Sequence, residues 1–153
     1  MAYIESASNE PTADGCLFCD TLAGDDEAGF ILVRTNRAFA MLNAFPYNPG
    51  HLMVAPVRHV AGLDEMDPEE LAQTQDLVQR GIRALRAVSG PHGFNLGMNL
   101  GRVAGAGVPG HVHWHLVPRW DGDTNFMATV GETRVLPESL QDTWTKLRPH
   151  FAD

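Results

Sequence analysis

The chain has 153 residues, 44% of them apolar and 20% charged, with a formal net charge of −8. That fits one soluble domain with a sizeable core, and no run approaches the apolar length that crosses a membrane as a helix. Residues 1–14 lack the basic and apolar parts of a secretory leader, and an acidic protein has no general attraction for nucleic acid or anionic lipid; the expectation is a cytoplasmic protein with neither as partner.

Residues 1–14 read as a flexible lead-in. Gly15 to Cys19 reads as a compact knuckle, and Asp20 to Gly29 as an acidic loop. Phe30–Val33 and Phe39–Leu42 are short strand candidates, Tyr47-Asn-Pro-Gly50 is a turn, and His51–Ala55 is a strand ended by Pro56. The clearest helix starts at Asp67, with Asp67 as cap, Pro68 in the first turn and Glu70 completing a capping box. Leu71, Thr74, Leu77, Val78, Ile82 and Leu85 give it one buried stripe, and Ser89-Gly-Pro91 stops it. Residues 94–99 look extended. Gly101 to Gly110 holds four glycines, two alanines and a proline, and reads as a loop. His111 to Val117 reads as a strand ended by Pro118, and a shorter helix follows from about Pro137 to Leu147. The order implies an α+β fold, a long helix against a mostly antiparallel sheet. The domain would span residues 15–149, with 150–153 as a tail.

His111, His113 and His115 alternate with Val112, Trp114 and Leu116. On a strand, alternation puts the three imidazoles on one face and the apolar residues on the other. Imidazoles two apart can converge on zinc. A neutral imidazole can also attack phosphorus and become a covalent phosphoryl- or nucleotidyl-histidine. Without either role, three clustered imidazoles need other polar partners.

The run His111-Val-His-Trp-His-Leu-Val-Pro118 resembles the signature of the histidine-triad family. Tyr47-Asn-Pro-Gly-His-Leu-Met53, Pro118-Arg-Trp120 and Asp121-Gly-Asp-Thr-Asn-Phe-Met127 resemble its bacterial branch similar to diadenosine tetraphosphate phosphorylases. The resemblance covers about residues 15–149. It implies a histidine-triad (HIT)-like fold, usually a two-fold homodimer, and a small-molecule nucleotide as substrate. It makes His113 the nucleophile, expects His115 at the phosphate or leaving group, and places His51 where it orients triad residues. A backbone carbonyl would hold the second nitrogen of His113.

The loop Asn99 to Gly107 precedes the triad. Its glycines let backbone N–H groups approach phosphate oxygens, so Gly105, Ala106 and Gly107, with Asn99 as a side-chain donor, are phosphate-binding candidates; an ordinary surface loop is the alternative. Gly107 and Val108 stand where many family members carry a glutamine or hydroxyl residue that helps the leaving group. Asn43 matches the residue that binds ribose, and is equally a turn-forming asparagine. Phe39, Leu42 and Phe45 are candidates for an apolar wall or for core, and Trp120 for the pocket's edge or a structural role.

Cys16-Leu-Phe-Cys19 has the spacing of half a zinc site, with a redox pair or two free thiols as competitors. The resemblance supplies His59 and His111 as the other two ligands, giving a structural zinc that leaves His113 free. Four activities stay open: cleavage of a dinucleoside polyphosphate through a nucleotidyl-histidine, hydrolysis of phosphoramidates or adenylylated metabolites, nucleotide binding with little turnover, and a hydrolase whose three histidines hold a catalytic zinc.

Overall fold

A computed structural model describes residues 15–124 and 137–152. The lead-in 1–14, the Asn125–Met127 part of the resemblance and the last residue of the tail lie outside the described residues. Helix α1 spans Leu17–Ala23, and strands β1, β2 and β3 span Ile31–Arg34, Ala38–Leu42 and Leu52–Pro56. Helix α2 spans Pro68–Ser89, β4 Gly93–Gly97, β5 Trp114–Arg119 and helix α3 Leu140–Leu147. The strands form one sheet in the order β1-β2-β3-β5-β4, every neighbouring pair antiparallel. The α+β architecture expected from the chain order is the one found.

Two apolar layers separate the faces of the sheet. On one, Ala38, Ala40, Leu42, Leu52, Val54 and Leu116 pack against Leu77, Val78, Ala84 and Leu85 of α2 and Leu147 of α3. On the other, Phe39, Met41, Met53 and Ala55 pack with Cys16 and Phe18, which brings α1 onto that face. The alternation along β2 and β3 produces this division. Asp67 and Glu70 form the expected capping box at the start of α2, and Gly90 in the left-handed region ends it. Gly81 lets α2 lie close to the sheet: a Cβ there would stand 2.9 Å from Leu52 and 3.0 Å from Leu116. Gly50 has φ of +81° and a Cβ would meet Leu85 at 2.7 Å, so glycine is required at the turn that delivers His51.

Three local readings change. The knuckle is the start of α1, with Cys16 as the N-cap and Asp20–Ala23 helical rather than looped. Its two turns are too few for a periodic signal. The histidine strand begins at Trp114, not His111, and runs through Pro118 to Arg119. The β3–β5 ladder ends at Val54↔Trp114. Continued, it would set Val112 opposite Pro56, which has no N–H to give; instead Val112 N–H donates to the Val60 carbonyl at 2.7 Å. Pro118 itself is accommodated within the sheet, opposite Phe94 of β4.

Candidate active site and metal centre

His111, His113 and His115 stand on the face of the sheet that α1 covers, beside Phe39, Met41 and Met53. The register places His115 opposite Met53. Val112 turns into a small cluster with Val60 and Met66, and Leu116 into the helical core. His111 and His113 are buried at 0% and 3% exposure. Burial pushes His113 down to about 4, part of the effect being offset by its hydrogen bond to the His111 carbonyl. The ring is therefore neutral at neutral pH. Its Nδ1–H donates to the His111 carbonyl at 2.8 Å, so Nε2 keeps its lone pair.

A second chain of bonds fixes His115. Tyr47 N–H donates to His51 Nδ1 at 3.1 Å, and the Asn43 amide lies 3.4 Å from the same nitrogen. The proton of His51 is thus on Nε2, which faces His115 Nδ1 at 2.9 Å. His115 then carries its own proton on Nε2. Burial lowers the pKa of His115 as well, keeping it neutral. The His113 and His115 rings lie 4.8 Å apart. A bare nucleophilic nitrogen and a donor N–H therefore stand side by side.

The other sequence candidates divide. Asn43 is buried; its side-chain oxygen accepts Phe45 N–H at 2.9 Å, which makes the turn, while its amide braces His51. Phe39 and Leu42 are core on opposite faces, and Phe45 is exposed. In the glycine-rich segment, Gly105 and Ala106 N–H groups donate to the carbonyls of Arg102 and Gly101 at 3.0 and 3.3 Å. The Asn99 amide reaches the Gly105 carbonyl at 3.3 Å. A phosphate cradled there would replace those bonds. Trp120 is not brought to the triad: its Nε1–H donates to the Ser89 carbonyl at 3.3 Å. It lines a cavity of about 390 Å³ on the helical side, with Leu85, Val88 and Leu147.

Cys16, Cys19, His59 and His111 place one donor atom each within 4.8 Å of one another. His111 Nδ1 is 3.4 Å from Cys16 Sγ and 3.7 Å from Cys19 Sγ, and His59 Nδ1 is 3.5 Å from Cys19 Sγ. A tetrahedral zinc with Zn–S about 2.3 Å and Zn–N about 2.0–2.1 Å sets N and S roughly 3.5 Å apart, so the donor set fits. The Pro56 carbonyl accepts His111 Nε2–H at 2.8 Å, which turns the Nδ1 lone pair toward the thiols. His59 Nε2 is buried with no hydrogen-bond partner among the described residues. Burial, with the neighbouring Cys16 adding to it, pushes the Cys19 thiol up to about 11; a bound cation would be needed to draw out the thiolate.

A family model described as the HIT domain matches residues 26–122, more than half of the chain. The chain is a member of the HIT family. An AP-4-A phosphorylase of Mycobacterium tuberculosis is 45% identical over 127 residues, 83% of this chain, and the chain spans only 65% of that relative's length. An adenosine 5'-monophosphoramidase of Schizosaccharomyces pombe is 34% identical over 104 residues, 68% of this chain and 74% of its own. Among solved structures, a zinc-bound histidine triad family protein from Mycobacterium smegmatis superposes with a TM-score of 0.73 at 26% identity, covering 91% of this chain and 94% of that one. The fold is HIT-like.

Sequence reasoning passed over three parts of this HIT site. Phe18 reads as a spacer between two cysteines, yet its ring lies against both His111 and His113. Tyr47 reads as a turn residue, yet its ring covers His51 and His115 at 4.6 and 6.0 Å. The Pro56 carbonyl fixes His111, and nothing in a sequence marks a carbonyl.

Proposed function

We propose that this protein is a nucleotidyl hydrolase or transferase that cleaves a dinucleoside polyphosphate, such as diadenosine tetraphosphate, at the α-phosphorus. The observation that carries the reading is the hydrogen bond from His113 Nδ1–H to the His111 carbonyl, which leaves Nε2 bare beside the His115 donor. His113 Nε2 attacks the α-phosphorus, an N–P bond forms, and the bond to the bridging oxygen breaks. His115 Nε2–H donates a hydrogen bond to that bridging oxygen, and the nucleoside polyphosphate departs as its phosphate anion. Water or inorganic phosphate then attacks the same phosphorus, the N–P bond breaks, and AMP or ADP departs. His51 orients His115, and Asn43 has the place of the ribose contact. Asn99, Gly105, Ala106 and Gly107 would receive the phosphates. With no hydroxyl or glutamine at Gly107-Val108, leaving-group assistance rests on His115 and backbone donors.

Zinc is the metal assigned to Cys16, Cys19, His59 and His111; bound there it would be structural, with no open position for substrate. A two-fold homodimer belongs to the same reading. It is supported by β4, which among the described residues ends the sheet with an unpaired edge and carries Leu96 at 46% exposure.

The likeness to an adenosine 5'-monophosphoramidase supports a second reading, hydrolysis of nucleoside phosphoramidates, with the same nucleophile and intermediate. One experiment addresses both. Protein is mixed with α-³²P-labelled diadenosine tetraphosphate or an adenosine phosphoramidate, quenched in mild base and digested, with and without inorganic phosphate in the reaction. Label on His113, and ADP formed only when phosphate is present, is the phosphorylase outcome. Normal turnover by His113→Ala would end the covalent reading.

A further inference from the structure

Two groups that hold the proposed nucleophile in place come from the residues around the candidate metal site. The first is the His111 carbonyl, which accepts His113 Nδ1–H at 2.8 Å and belongs to a residue of the metal cluster. The second is Phe18, one of the two residues between the cysteines. Its ring is fully buried, 4.8 Å from the His113 ring and 5.1 Å from the His111 ring, tilted at 47° and 54°. Phe39 closes its other side edge-on at 6.1 Å. A carbonyl fixes a tautomer but leaves the imidazole free to swing about that bond. A packed aromatic ring removes the swing.

We infer that Phe18 is a positioning residue for His113, and that the Cys16/Cys19/His59/His111 knuckle, through Phe18 and the His111 carbonyl, sets the orientation of the attacking nitrogen. The inference rests on the reading of His113 as nucleophile, but its geometric half stands apart from turnover. The backbone bond at the N-cap of α1 is local: the Cys16 carbonyl accepts Asp20 N–H at 2.9 Å, and the Cys16 side chain makes no capping hydrogen bond to the helix. The donors that would tie this end of α1 to the rest of the chain are the thiols, facing His111 and His59. Ligation would therefore fix Phe18, and Phe18 in turn the ring of His113.

The test reads the His113 ring directly. ¹⁵N-histidine spectra are recorded on zinc-loaded protein, on protein stripped with a chelator, and on zinc-loaded Phe18→Leu and Phe18→Ala. The expected result is one Nδ1–H tautomer for His113 in the loaded wild type. Broadened His113 signals are expected in Phe18→Ala and after stripping, which also frees the His111 carbonyl and mixes the tautomers, with Phe18→Leu between the loaded wild type and Phe18→Ala and the His51–His115 pair little changed. In parallel, kcat for nucleotidyl transfer should fall on the order of 100-fold in Phe18→Ala, the scale of a 1 Å misplacement of a reacting group, with KM within a few-fold and partial rescue in Phe18→Leu. Identical His113 spectra in all four samples would overturn the inference. So would a kcat loss that merely followed the folded fraction measured by circular dichroism. A His113→Ala variant with normal turnover would instead remove the nucleophile reading while leaving the spectral result to stand by itself.

Discussion

At the scale of single residues, the site depends on which nitrogen of each imidazole carries the proton. In the proposed reading His51 orients rather than reacts, through the Nε2–H it donates to His115 Nδ1 at 2.9 Å. In His51→Ala that donor is lost, and the proton of His115 is no longer confined to the nitrogen facing the leaving group. The expected loss in kcat is on the order of 10- to 100-fold, below the ~10²–10³ that removing one donor to a developing oxyanion outright costs. His51→Gln, whose amide can still donate, should recover part of it. Full activity in His51→Ala, or no recovery in His51→Gln, would sink this role. The three imidazoles on one face were legible from their alternation alone. The resemblance gave the tautomer of His113, with a backbone carbonyl on its second nitrogen; those of His51, His115 and His111 were not legible, because they are set by the Tyr47 N–H and the Pro56 carbonyl, backbone groups brought in from other strands and turns.

At the scale of elements, α2 was the most legible part of the chain. Asp67, Pro68 and Glu70 announce its start, and the structure adds a partner that local pattern cannot name. Glu70 is fully buried; its carboxylate accepts Asp67 N–H at 2.9 Å and two N–H groups of Arg58 at 2.8 Å each. Arg58 is the neighbour of His59, so the capping box also braces the segment that carries a metal-ligand candidate. The Arg58 hydrogen bonds hold the Glu70 carboxyl below its usual range, against the opposing effect of burial. A carboxyl with a folded pKa below its unfolded value stabilises above the unfolded pKa, near 4.3, and the gain is lost as pH falls through the folded value. Glu70→Gln should therefore reduce stability at neutral pH by about 1–3 kcal/mol, the scale for a buried charged hydrogen bond. The gap to wild type should narrow as pH drops below about 4. Urea unfolding at a series of pH values measures both; a gap that stays constant down to pH 2 would rule out the charge as its source. Strand β5 was legible in type and misread in extent, because its start depends on the partner strand ending in Pro56, a long-range fact. Helix α1 was missed for its shortness.

At the scale of the whole molecule, the Cys16, Cys19, His59 and His111 cluster joins chain segments that the sheet alone does not. Cys16 and His111 are 95 positions apart, and Cys19 and His59 are 40 apart. The donors sit at the start of α1, after β3 and ahead of β5. None of them belongs to the larger core, where α2 and α3 pack on the sheet. That division sets what metal removal should do. A small zinc finger has no other core and unfolds without its metal. Here the helical face keeps its apolar burial, and the loss should be confined to α1 and the segment bearing His111 and His113. Elemental analysis of the purified protein should give one zinc per chain, lost in Cys16→Ser/Cys19→Ser. Stripping should lower the melting temperature by about 5–10 °C, corresponding to roughly 2–3 kcal/mol in a domain of this size. The far-UV helical signal at room temperature should persist, because α2 is the longest helix among the described residues and has its own caps and core. Hydrogen exchange should show the same boundary, with amides of α1 and residues 108–113 losing protection and those of α2 keeping it. Global unfolding on chelation would mean that the cluster nucleates the fold rather than fastening one end of it. An unchanged melting temperature with full zinc loss would mean that the four side chains hold the knuckle together without an ion.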